Sequence, residues 1–164
     1  VAEVPTSPTA PSTQPLTVGP ISYFEDHCAR CHGSYGSGYL PESMQRHDAA
    51  GLKKLIRDMA AGPAQAPLEE ADLDAQVAYH IALLNQSLFI TITERTATTL
   101  TGEATPGAIL HLKTGDRIVD VPLDEFAWSL SLEGVNSAEA ILILENSSGR
   151  LELPLSQQGQ HVGP

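Results

Sequence analysis

The sequence predicts a multidomain chain, an all-α domain over residues 19–87 followed by an all-β sandwich over residues 88–158. Three observations predict it. Apolar residues recur at helical spacing from Ile21 to Leu84. From Leu88 the apolar period changes to two, in short runs broken by Gly, Asn, Asp and Pro. The first 18 residues, rich in Pro, Thr and Ser, share neither pattern.

That opening stretch, VAEVPTSPTAPSTQPLTV, has too few large apolar groups to offset the entropy of ordering it, and is expected to be a disordered linker. It serves either as a tether to something preceding Val1, such as a membrane anchor, or as a frayed terminus. A chain that begins Val-Ala-Glu-Val-Pro shows no leader, which suggests a processed or trimmed start.

Three helices follow. Ile21, Phe24 and Cys28 share one face, so a short helix leads into the cysteines. Asp48 is placed to cap a second helix whose Leu52, Leu55, Ile56 and Met59 form a stripe, with Gly62-Pro63 to stop it. A third spans about Glu69 to Gln86, with Leu73, Val77, Ile81 and Leu84 inward. A Gly-rich loop from Gly33 to His47 separates the first two. Beyond Ser87, the runs LFITITE, TATTLTG, AILHLKT, RIVDVPL, AWSLSLE, AILILE and RLELPL give seven candidate strands, a density that suggests a sandwich with Trp128 near its centre. Residues 159–164 are a tail.

Net charge is −11, spread along the chain, and no basic cluster exceeds Lys53, Lys54 and Arg57. Such a surface repels nucleic acid and gains little from anionic lipid. No run approaches the ~18 apolar residues of a membrane span. Glu69, Glu70 and Asp72 sit where a helix dipole favours them, and no catalytic carboxylate pattern stands out.

The chemistry lies in Cys28-Ala29-Arg30-Cys31-His32. Two thiols three residues apart, followed at once by histidine, form the attachment pattern of a c-type haem. On one helical turn each thiol reaches one vinyl group of the porphyrin, and the adjacent imidazole reaches the iron. Three other readings compete, one of them a chance occurrence of the five residues. A zinc site needs a fourth donor, and the chain has no third cysteine; His27, His47, His80, His111 and His161 show no paired spacing. A thioredoxin-like dithiol would follow a buried strand, whereas here a short amphipathic helix precedes it.

With the motif in place, residues 19–86 resemble a class I cytochrome c domain. The opening Gly19, Phe24, Cys-Ala-Arg-Cys-His-Gly and the closing LEEADLDAQVAYHIALL carry the resemblance. It implies an all-α fold around one haem c per chain, held by Cys28 and Cys31, with His32 as proximal ligand and Gly19 and Tyr79 where the first and last helices cross. Tyr39 and Tyr79 are candidates to pack in the haem pocket. The chain departs from the family at the sixth ligand: Gly62-Pro63-Ala64-Gln65-Ala66-Pro67 has alanine where a methionine is expected. Met59 is the chosen distal ligand, with Met44 and His80 as alternatives. Residues 101–115, TGEATPGAILHLKTG, with the later AWSLSLE, resemble bacterial Ig-like modules, which implies a docking or spacing role.

The expected function is that of a monohaem c-type cytochrome passing single electrons between redox protein partners in the periplasm or at the cell surface. It is an electron carrier rather than an enzyme, meeting its partners at the exposed haem edge and through the β-domain. The alternative is a five-coordinate haem c enzyme or ligand sensor with an open distal site.

Overall fold

The computed structural model describes residues 15–40, 42, 48–157 and 160–162, the last three as backbone. Residues 1–14 of the expected linker, the alternative ligand Met44, and His47 lie outside the described residues.

Helix α1 (Pro20–His27) begins at an extended Gly19, with Pro20 in the first helical position, where its missing N–H costs nothing. It runs into the four-residue α2 (Ala29–His32) and a 3-10 turn at Ser34–Gly36. Asp48 accepts a hydrogen bond from the Gly51 amide at 2.7 Å, which opens α3 (Ala49–Ala61), and Gly62 closes it. Helix α4 (Glu70–Asn85) ends on Gln86 in the left-handed region, φ 51°.

Eight strands follow: β1 (Phe89–Arg95), β2 (Thr99–Ala104), β3 (Ile109–Thr114), β4 (Arg117–Val121), β5 (Ala127–Ser131), β6 (Ile141–Asn146), β7 (Gly149–Pro154) and β8 (Gln160–Val162). They form two four-stranded sheets, ordered β5-β2-β1-β8 and β4-β3-β6-β7, with every pairing antiparallel. One apolar core lies between the sheets, built from Ile90, Leu100, Leu110, Trp128, Leu142, Leu153 and their neighbours. Strand β8 falls in the stretch expected to be a tail.

In the first sheet the first half of β1 and the end of β2 are buried on both faces, and this corrects the expected fold class. Ile90 and Ile92 of β1 point into the core between the sheets, while Phe89 joins Ile21, Phe24, Tyr79 and Ala82 of the helices in a second cluster. Glu103 of β2 reaches the start of α1. The chain is therefore a single small α/β unit in three layers, helices on sheet on sheet, and not an all-α cytochrome domain strung to an independent all-β Ig-like sandwich. The physical reason is that α1 and α4 bury their aromatic faces against β1 rather than against one another alone. Gly19, expected at a crossing of helices, instead leaves room for the Glu103 carboxylate, which a Cβ there would strike.

Close packing also fixes Gly102. It pairs directly with Trp128 across β2 and β5, and a Cβ at this position would meet the Thr91 carbonyl oxygen and the indole ring. Gly102→Ala is expected to lower the unfolding free energy by about 2 kcal/mol, through overpacking of a closed core. Urea denaturation of the two proteins measures it.

Candidate functional site

The turn between α1 and α2 gathers the motif. The Cys28 amide makes the last bond of α1, to the Phe24 carbonyl at 2.8 Å, and the Cys28 carbonyl then accepts from the Cys31 and His32 amides at 3.1 and 3.0 Å. Cys28, Cys31 and His32 thereby share one rim of a cavity of about 370 Å³, a volume within the range of small-molecule sites. One stripe of α3 also lines it: Leu52, Leu55, Ile56, Met59 and Ala60. Tyr39 and His80 line it as well.

Two contacts hold the walls together. The Tyr23 hydroxyl donates to the Ala66 carbonyl at 2.6 Å, and an Arg30 guanidinium N–H reaches the Pro63 carbonyl at 3.5 Å. Both tie the loop after α3 to the helices that carry the cysteines. A second pair of contacts anchors the chain entering α1. Asp72, buried on α4, accepts from the Thr17 amide at 2.8 Å and from the Thr17 hydroxyl. Glu103, buried on β2, accepts from the Ile21 and Ser22 amides at 2.8 and 3.1 Å and from the Ser22 hydroxyl.

The electrostatics separate the readings of the motif. Neither cysteine is in a disulfide. Burial, then the charges of Cys31 and Glu25, pushes the Cys28 thiol up to about 11. An exchanging dithiol needs the opposite, a thiol lowered toward neutrality. Among the described residues no three His, Cys, Asp or Glu side chains converge to hold a bare metal ion. The zinc site weighed for Cys28, Cys31 and His32 is thus not assembled.

His80 is buried at 4% exposure, and desolvation pushes its imidazole down to about 4, so it is neutral at pH 7. Its Nδ1 lies 2.8 Å from the Gln76 carbonyl oxygen, which can only accept. Nδ1 therefore carries the proton, and Nε2 accepts from the Tyr39 hydroxyl at 2.9 Å.

Of the residues singled out from the sequence, Cys28, Cys31, His32, Tyr39, Met59 and His80 meet at this cavity. Tyr79 does not. It packs edge-on against Phe24 at 5.7 Å and against Phe89 at 5.3 Å, in the cluster between the helices and β1. Sequence reasoning assigned Asp72 only to the helix dipole, and missed Tyr23, Arg30 and Glu103 as supports. Nothing in the local pattern marks Glu103, because a polar residue alternating along a strand normally faces water.

The donor set fits a porphyrin better than a bare ion. A porphyrin brings four nitrogens of its own, and asks the protein only for an apolar slot, one or two axial donors and the attaching thiols. An apolar wall, an imidazole and two unoxidised cysteines at one cavity meet that demand.

No family model, no curated protein and no solved structure matches the chain. The resemblances read from the sequence, to a class I cytochrome c domain and to a bacterial Ig-like module, accordingly do not stand. No family match supports them, and the fold is one α/β unit. Among the described residues no helix is long and apolar enough to cross a membrane.

Proposed function

We propose that the chain is a monohaem electron carrier, holding one covalently attached haem c through Cys28 and Cys31. His32 and Met59 would hold its iron, through an imidazole and a thioether. The observation that carries this reading is that Cys-x-x-Cys-His lines an apolar cavity whose lining also includes the thioether of Met59. When bound, the group supplies one-electron chemistry at iron between its ferric and ferrous states.

The protein's residues do the rest. Cys28 and Cys31 tether the porphyrin so that it is not lost outside the cytoplasm, in the periplasm or at the cell surface. Leu52, Leu55 and Ile56 exclude water from its face and favour the state of lower charge. Met59 has no hydrogen-bond partner to give up, whereas both ring nitrogens of His80 are engaged, which favours the thioether as sixth donor. Held by both His32 and Met59, the iron would offer no place to a substrate, so the protein would carry electrons between redox partners rather than act as an enzyme. Those partners approach at the cavity mouth, where Leu40 and Leu55 are exposed, with the β layers as docking support.

Production in a host with haem-ligation machinery tests the reading. The intact mass is expected to exceed the polypeptide by one haem, and Cys28→Ala with Cys31→Ala to return it to the bare value. Wild-type protein of bare mass, from a host that matures a control protein, would overturn the proposal.

A further inference from the structure

We propose that Tyr39, anchored by His80, is a positioning residue that fixes the ring plane of His32. The inference rests on the reading of His32 as an axial donor.

The residues form a continuous chain from the backbone of α4 to the motif. The Gln76 carbonyl takes the Nδ1 proton of His80 at 2.8 Å. The Nε2 of His80 then has a lone pair to offer, and the Tyr39 hydroxyl donates to it at 2.9 Å. Tyr39 lays its ring on His32, with centroids 4.8 Å apart and planes 28° from parallel. No hydrogen bond to the His32 ring exists among the described residues. This is unusual for an axial imidazole, whose second ring nitrogen ordinarily donates to a carbonyl or carboxylate that sets its orientation. Here a stacked face takes over that role, and a stacked face is useful only if it is itself held still.

Two features hold it. Phe24 packs against both rings, 6.0 Å from Tyr39 and 5.4 Å from His80, and backs the pair on one side. The tautomer of the neutral His80 is dictated by a main-chain oxygen, so its other nitrogen stays an acceptor toward Tyr39 as long as the imidazole is neutral. An isolated buried histidine would be a costly way to fill this space, and leucine would pack it more simply. The hydrogen bond to Tyr39 explains the imidazole.

The orientation of an axial imidazole controls how unpaired spin in the ferric state spreads over the four haem methyl groups. The proton shifts of those methyls therefore read the proposal directly, and the reduction potential gives a second measure. Tyr39→Leu is expected to reorder the methyl shifts and move the potential. Tyr39→Phe keeps the stacked ring and loses only its anchor, so a smaller change in the same direction is expected, and His80→Leu should reproduce it.

Wild-type methyl shifts and potential in Tyr39→Leu would overturn the proposal. If that variant does not mature, unchanged values in both Tyr39→Phe and His80→Leu do so. In the haem-free chain, proton cross-relaxation between the Tyr39 and His32 rings is expected, and its absence also counts against the proposal. A wild-type protein that takes up no haem defeats the reading of the motif instead, and is recognised by its bare mass.

Discussion

Glu103→Ala is expected to lower the unfolding free energy by about 3–4 kcal/mol, the largest loss from any single side chain on the outer face of β2. The carboxylate is 4% exposed and accepts from two backbone amides at the start of α1 and from the Ser22 hydroxyl. Truncation leaves those amides buried with no acceptor, at roughly 1–3 kcal/mol each, and removes a negative charge from a helix N-terminus. Because α1 ends at Cys28, the loss is expected to reach the motif as well, as a lower yield of haem-loaded protein. Chemical denaturation and the ratio of loaded to bare mass measure the two effects. A variant as stable as wild type would show that the joint between the helical layer and the sheet lies elsewhere.

The same carboxylate sets a pH dependence. Burial raises its pKa, opposed by the bonds from Ser22 and Ile21. The folded state then holds the proton to higher pH than the unfolded chain does, so this contribution to stability is present in acid and is lost as pH rises above the ordinary carboxylate value. His80 works the other way. Its folded value near 4 lies below the unfolded 6.5, so its contribution is lost as pH falls through that interval, by up to roughly 3 kcal/mol. Glu103→Gln is therefore expected to make acid destabilisation steeper between about pH 6.5 and 4, because the offsetting group is gone. An unchanged profile would mean that Glu103 is not the opposing group.

Much of the local structure was legible in the residues. The Asp48 cap, the Gly62 stop and the stripe from Leu52 to Met59 are short-range signals, and α3 follows them. All seven apolar runs after Ser87 contribute strands, since period-two patterning is also local. The relation between the halves was not legible. β1 reads as a strand of the second half, but Phe89 belongs to the helical cluster and Ile90 to the core between the sheets. A strand buried on both faces loses the polar alternation that would announce a second partner, and Thr91, fully buried, looks in sequence like a solvent-facing position.

The candidate site shows the same division. Cys28, Cys31 and His32 lie within five residues, so the motif can be read without any knowledge of the fold. Met59 could be placed because it shares a stripe with three other wall residues. The supports could not be foreseen: Tyr23 to Ala66 spans 43 residues, and Ile21 to Glu103 spans 82. The two tyrosines thought to pack near the porphyrin divide for a reason of periodicity. Tyr79 and His80 are neighbours on α4, roughly 100° apart, so only one of them faces the cavity, and it is the histidine.

Met59→Ala is expected to change the spectrum of the matured protein more than any substitution that leaves attachment intact. Met59 lines the same cavity as His32 and is only half-buried, so its removal is expected to cost roughly 1 kcal/mol of stability while the fold persists. The ferric form should lose the weak long-wavelength band of sulfur ligation, the potential should fall, and the ferrous form should gain the capacity to bind carbon monoxide. The structure supplies the reason for preferring this residue. To turn toward a haem, the His80 imidazole must give up its bonds to the Tyr39 hydroxyl and the Gln76 carbonyl and its packing on Phe24. Nothing comparable restrains the thioether, and the Tyr23 and Arg30 contacts hold its loop at the cavity mouth. Retention of the sulfur band in Met59→Ala would transfer the assignment to Met44, and bis-imidazole spectra in the wild type would transfer it to His80. Carbon monoxide binding by the wild type would leave the distal position open and make ligand binding, rather than electron transfer alone, the work of the site.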